Sequence, residues 1–299
     1  MPRPHVVAPS ELSSLQDLEL MTRATVEGLR QGLHRSPFHG YNAEFSQYRH
    51  YRPGDDLKYV DWKAFARTDR LYTRQFRETT NLSALFVLDV SRSMDFPIDD
   101  KPLGLSAKFA LARAVIGILG TLVLDQGDAA GVLAVDVGAH LVPPRSGHHH
   151  LRLFLSELAR LEPVGKAGVH EALRRAATVL KRCGLVIVAS DFYEDEPALA
   201  EIQRLARMGH DVIVIHVLAR EELTLGVDGA AEFVELESGR TLMVQPSAAR
   251  EAYTADVRRW LEGFQRRVTK EGIDYLRLVT RDPLEPALRR FLVSRRGRH

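Results

Sequence analysis

The side chains with the most chemical capacity are Asp89, Ser91, Ser93 and Asp191. The first three fall in the run Asp89-Val90-Ser91-Arg92-Ser93-Met94, directly after the apolar segment SALFVL, and Asp191 directly follows LVIVAS. A carboxylate with two hydroxyls at alternate positions is an oxygen-only donor set. Such sets suit a hard cation such as Mg²⁺, which takes near-octahedral oxygen geometry and keeps several waters. One carboxylate undercompensates a divalent charge, so the ion would remain a Lewis acid able to accept a carboxylate from a partner. Asp191, past the end of a second apolar segment, is the matching acid. The same residue types also serve as turn formers and helix caps, and that reading stands beside the metal-binding one.

Two carboxylates about a hundred residues apart meet only if the fold brings two strand ends together. The sequence predicts such a fold. Short apolar runs at 83–91, from 129, at 185–190 and at 211–218, with a final strand at 274–279, have the pattern of strands buried on both faces. Helical segments at about 105–124, 148–161, 169–182, 197–208, 247–270 and 284–293 alternate with them. A short strand at 140–142 and a pair at 231–237 and 240–244, turning at Ser238-Gly239, complete the pattern. This alternation predicts a doubly wound, mostly parallel α/β sheet of Rossmann-like order with helices on both faces. In such sheets the ligand crevice lies at the C-terminal strand ends, near a topological switch point. Asp89 and Asp191 both occupy strand ends.

The preceding residues differ in character. A helix is expected from Ser10 to about Leu33, and Leu71–Arg77 alternates as a strand. Between them, GYNAEFSQYRHYRPGDDLKYVDWKAFARTDRLYTRQFRETTN is dense in Tyr, Phe, Arg and Asp. The sequence divides into an N-terminal extension at 1–82 and an α/β domain at 83–299. In the block, Arg49-His50-Tyr51-Arg52-Pro53-Gly54-Asp55-Asp56, Asp61-Trp62, Ala66-Arg67 and the Asp-x-Ser-x-Ser loop occur in order. This arrangement closely resembles the signature of the bacterial domain-of-unknown-function 58 family. The Asp89-x-Ser91-x-Ser93 loop with a later Asp191 resembles the metal-ion-dependent adhesion site (MIDAS) of von Willebrand factor type A domains. The resemblance implies a type A-like fold with metal ligands Asp89, Ser91, Ser93 and Asp191, and no enzymatic activity. It also implies association with a MoxR-type AAA+ ATPase as partner or adaptor. Type A domains usually add a threonine from a mid-domain loop. The equivalent here falls near Ala167, or at Val169, neither with a side-chain oxygen, and Lys166 lies beside them. The expected Thr ligand is absent, which weakens Mg²⁺ binding.

Composition narrows the function classes. The 299 residues are 45% hydrophobic and 27% charged, as in globular chains. Lys plus Arg is 41 against 39 for Asp plus Glu, a balance that does not point to nucleic acid. In the Arg-rich block, Asp55, Asp56, Asp61 and Asp69 nearly match the basic residues, and Trp62 is expected to pack the block down. The single cysteine, Cys183, excludes an internal disulfide and is expected to be partly buried. His148-His149-His150 do not share a helix face and are expected to be solvated. The apolar stretch Ala114–Leu124 is shorter than the about 20 residues that cross a bilayer, so no membrane insertion is expected. No apolar leader is read at the start, and a cytoplasmic location is expected. No Gly-x-Ser-x-Gly, His-Glu-x-x-His or Walker A motif occurs, which argues against an enzyme. Three functions follow: a non-enzymatic protein-interaction module engaging an acidic partner residue through the strand-end site, a metal-assisted hydrolase, and a metal-free adaptor working through the N-terminal block.

Overall fold

The computed structural model describes residues 15–30, 38, 43–52, 60–78, 82–97, 107–135, 138–163, 168–193, 195–224, 231–234, 241–244 and 246–296. They divide into two compact units, one made of Met1–Phe38 with Ser83–His299 and the other of His39–Leu82.

The larger unit is a three-layer α/β structure. Its sheet contains β3 (Ser83–Leu88), β4 (Ala129–Val135), β5 (Ala139–Arg145), β6 (Leu185–Ser190), β7 (Asp211–Leu218) and β10 (Asp274–Val279). The order is β10-β7-β6-β3-β4-β5, parallel throughout except for the antiparallel edge strand β5. Every residue of β6 is buried, and so are five of the six in β3, because helices cover both faces. On one face, α5 (Val169–Val179), α6 (Asp195–Arg207) and α8 (Pro246–Lys270) enclose a core of Leu85, Val87, Val186, Val188, Val212 and Val214, with Phe264 and Val268 from α8. On the other lie α3 (Ala107–Asp125), α4 (His148–Arg160) and α9 (Leu284–Arg296). β5 carries Pro143 and Pro144, which have no N–H to offer, and this keeps the open edge from templating further strands.

The helix at the centre is α3. With 19 residues it has the length and apolarity of a membrane span. Here it is buried from Ala107 to Leu124, between the sheet and two covering helices, α4 and α1 (Leu15–Arg30). Gly117 allows this approach, since a Cβ there would sit 3.3 Å from Thr22 Oγ1, 3.4 Å from Leu18 and 3.6 Å from Leu155. α1 buries Leu18, Met21, Val26 and Leu29. This changes the expected division of the chain. The sequence places all of 1–82 in one extension, whereas α1 belongs to the sheet unit, because its apolar stripe is needed to cover α3.

The smaller unit contains β1 (Ala43–His50) and β2 (Tyr72–Glu78), paired antiparallel, and α2 (Trp62–Thr68) between them in sequence. Neither β1 nor α2 was expected. Asp61 starts α2 by accepting the Ala64 N–H at 2.9 Å, so this acid is a helix cap. Within this unit the Trp62 ring lies edge to face with Phe65. The signature residues 53–56 lie outside the described residues, as does the Ser238-Gly239 turn between β8 (Ala231–Val234) and β9 (Thr241–Val244).

Two further expectations change. His150 is buried, its Nε2 2.7 Å from the Ala130 carbonyl oxygen, beside the register shift between β4 and β5. Cys183 is exposed.

Candidate functional site

The sheet reverses direction beside β3. The chain moves from β3 outward through β4 to β5, then crosses to β6 on the other side and continues through β7 to β10. The crevice between β3 and β6 is therefore the switch point. Asp89 follows the last residue of β3 and Asp191 the last residue of β6, and the Asp89 N–H donates to the Ala189 carbonyl at 3.0 Å. The two strand ends are thus still in register where the acids emerge.

Asp89 is buried and held from both sides. Its Oδ1 accepts the Ser91 N–H at 2.9 Å, folding the loop back, and its Oδ2 accepts the Ser190 hydroxyl at 2.5 Å. Ser190 Oγ in turn accepts the Phe192 N–H at 2.9 Å, so this serine ties the two strand ends together. Ser91 and Ser93 Oγ lie 2.9 Å apart, at the start of a 3₁₀ turn over Arg92–Met94. Burial, with repulsion from Asp191, pushes the Asp89 carboxyl up to about 6, against the opposing hydrogen bonds from Ser190 and Ser91. All four expected residues lie at this rim, and the charges of Asp89 and Asp191 act on each other.

Asp191 has other partners. Its Oδ1 accepts the Tyr193 N–H at 3.3 Å, and its Oδ2 accepts the ammonium of Lys108 at 2.9 Å. Lys108 comes from the first described turn of α3, and its side chain is 0% exposed. The ammonium also donates to Glu222 Oε1 at 2.6 Å, and it lies 5.0 Å from the Tyr193 ring centroid and 5.7 Å from that of Phe96. Burial acts to lower the pKa of this lysine, but Asp191 and Glu222 outweigh it and raise the pKa above the ordinary value. Glu222 belongs to the short α7 (Arg220–Thr224), where its Oε2 accepts the Ala219 N–H at 2.7 Å, half of a capping box. The phenol of Tyr253 donates to the Glu222 carbonyl at 2.8 Å.

Behind the site stands His216 on β7, fully buried among Phe192, Trp260, Phe264 and Tyr275. Its Nε2 is 2.9 Å from the Asp191 carbonyl oxygen and its Nδ1 2.8 Å from the Tyr275 hydroxyl. A carbonyl only accepts, so Nε2 carries the proton and the tyrosine donates to Nδ1. Burial lowers the imidazole to about 4, which keeps it neutral.

Lys108, Glu222, Ser190 and His216 were not read from sequence as site residues. The signal for Lys108 was present, since an ammonium inside an otherwise apolar helix must find carboxylates. Which carboxylates it finds depends on the fold. Of the two positions considered for a threonine ligand, Ala167 lies outside the described residues and Val169 is a buried first residue of α5.

The donor set can be compared with what Mg²⁺ requires. Both oxygens of Asp89 and both of Asp191 accept protein donors, and Ser91 and Ser93 bond each other. An ion ligated by Asp191 Oδ2 would sit within a few ångströms of the Lys108 ammonium. At an effective dielectric of about 20, two unit charges 4 Å apart repel by roughly 4 kcal/mol, and a dication doubles this. As arranged, the set does not fit a directly coordinated Mg²⁺.

Comparison with known proteins places the chain. A family model described as "Protein of unknown function DUF58" matches residues 47–262, a span that includes Asp89, Lys108, Asp191 and Glu222. The chain belongs to the DUF58 family. An uncharacterised protein of Mycobacterium tuberculosis is 30% identical over 302 residues, covering 96% of this chain and 90% of its own length. The uncharacterised protein YeaD of Bacillus subtilis is 24% identical over 176 residues, covering 56% of this chain and 39% of its own. Among solved structures, the conserved hypothetical protein BatB of Bacteroides thetaiotaomicron aligns with a TM-score of 0.46 at 19% identity, over 73% of this chain and 100% of that one.

Proposed function

We propose that this DUF58 protein is a non-enzymatic protein-interaction module of the von Willebrand factor type A kind, acting as partner or adaptor of a MoxR-type AAA+ ATPase in the cytoplasm. The observation that carries the reading is the convergence of Asp89, Ser91, Ser93 and Asp191 at the switch point of the sheet. The ATPase partner rests on the sequence resemblance. The disposition of the polar groups supports binding over catalysis. The Ser91 and Ser93 hydroxyls face each other, Ser190 serves Asp89, and His216 spends its N–H on a backbone carbonyl. None of these contacts pairs a hydroxyl nucleophile with a histidine base. At the rim, exposed Arg92 sits between the two serines and offers a guanidinium with adjacent hydroxyls. This is a donor set for an acidic partner side chain, and it needs no bridging ion.

The test is capture of a purified MoxR-type ATPase from the same organism on the immobilised chain. Capture by wild type, lost in Arg92→Glu and Ser93→Asp, is the expected result. Capture that is unchanged in both variants would remove the rim from the interaction, and no capture by wild type would remove the partner.

A further inference from the structure

Lys108 contributes an unusual charge to this site. Lys108 lies on α3, whose residues are mostly apolar. Its side chain is wholly buried, with the Phe96 and Tyr193 rings alongside, so water does not solvate the ammonium. Such a charge is retained only where acids and hydrogen bonds compensate it. Two acids from separate chain segments do so, Asp191 at the end of β6 and Glu222 in α7. Glu222 is itself fixed by the Ala219 N–H, and Asp191 by the Tyr193 N–H. The ammonium is thus held in a preformed oxygen cradle at the strand-end crevice.

We infer that Lys108 is the resident cation of the site, a tethered monovalent charge that bridges Asp191 and Glu222 in place of a divalent metal ion. The inference deepens the interaction reading, because a rim that carries its own cation binds its partner without a metal requirement. It also accords with the lack of a side-chain oxygen at both Ala167 and Val169, the two alternative positions for a threonine ligand. An ammonium held by two carboxylates needs no third oxygen from that loop.

The test uses Mn²⁺ alone as probe, with isothermal titration, electron paramagnetic resonance and thermal unfolding as readouts. Wild type is expected to show no saturable Mn²⁺ binding and no Mn²⁺-dependent rise in Tm. Lys108→Met leaves buried Asp191 and part-buried Glu222 without their shared counter-charge. It is expected to lower Tm and to gain one Mn²⁺ site at least about tenfold tighter than anything in wild type, equivalent to about 1.4 kcal/mol. That site should disappear when Asp191→Asn is added. Should Lys108→Met not fold, Lys108→Gln removes the charge, keeps a hydrogen-bond donor toward Asp191 and Glu222, and is expected to gain the same site. Two results would overturn the inference. One is a Mn²⁺ site in wild type that Asp191→Asn abolishes. The other is a folded lysine-free variant with no gain in Mn²⁺ affinity. Neither arm involves the ATPase, so failed partner capture and failure of this inference are distinguishable.

Discussion

Asp89 carries the clearest consequence at the scale of single residues. Its carboxyl is raised from 3.8 to about 6 by burial and by Asp191. An acid whose folded pKa is raised is easier to accommodate protonated. The stability this group contributes is therefore present below about pH 4 and is lost as pH rises through about 6. Asp89→Asn removes that dependence. The difference in unfolding free energy, variant minus wild type, is expected to grow between pH 4 and 7 by up to about 3 kcal/mol, from roughly two pKa units. Urea denaturation at a series of pH values measures it, and a pH-independent difference would contradict the assignment. Much of this residue-scale detail was legible in sequence. Type and spacing alone point to Asp89, Ser91, Ser93 and Asp191, and all lie at one rim. Lys108 is not marked in this way, because a helix that is apolar apart from isolated charges reads as core, and its acids lie 83 and 114 residues away.

The elements show which contacts the strand and helix patterns left undetermined. Gly120 on α3 lies against the Phe154 ring of α4, close enough that a Cβ could not be added without displacing the ring. Alanine has a helix propensity about 1 kcal/mol better than glycine. Gly120→Ala is nonetheless expected to destabilise by about 1–3 kcal/mol through overpacking, and Phe154→Leu should recover part of the loss. Chemical denaturation of the two single variants and the double measures both effects. At the opposite end of the sheet from the site, buried Arg295 of α9 bonds Asp211 and Asp274, the first residues of β7 and β10. Arg295→Met strands the buried Asp274 carboxylate, and about 3–5 kcal/mol of stability is expected to go with it. Asp274→Asn in the same chain should restore much of that, and denaturation midpoints of the pair decide. The strands and long helices were legible because a sheet covered on both faces requires near-continuous apolar runs. β1 and α2 were not, since their aromatic and charged residues follow neither period.

For the whole molecule, the finding is that α1 belongs with the sheet although the signature block separates them in sequence. Leu18 and Leu29 are fully buried under α3 and its neighbours, while Leu20 of the same helix is 62% exposed. Leu18→Ala and Leu29→Ala are each expected to cost about 2–5 kcal/mol, and Leu20→Ala less than about 0.5. Urea midpoints of the three variants test the placement, and equal effects would argue against it.

By itself the sequence determined the order of the sheet strands and long helices, the acids and serines at the strand ends, and the family signature. Each of these is written in local pattern, in the period of apolar residues or the spacing of polar ones. The tertiary structure decided that α1 closes over α3 and that Ser190 joins the strand ends. It also decided that a lysine from one helix and a glutamate from another meet at Asp191. Those depend on distances between remote segments, which burial and charge compensation fix only when the chain is folded.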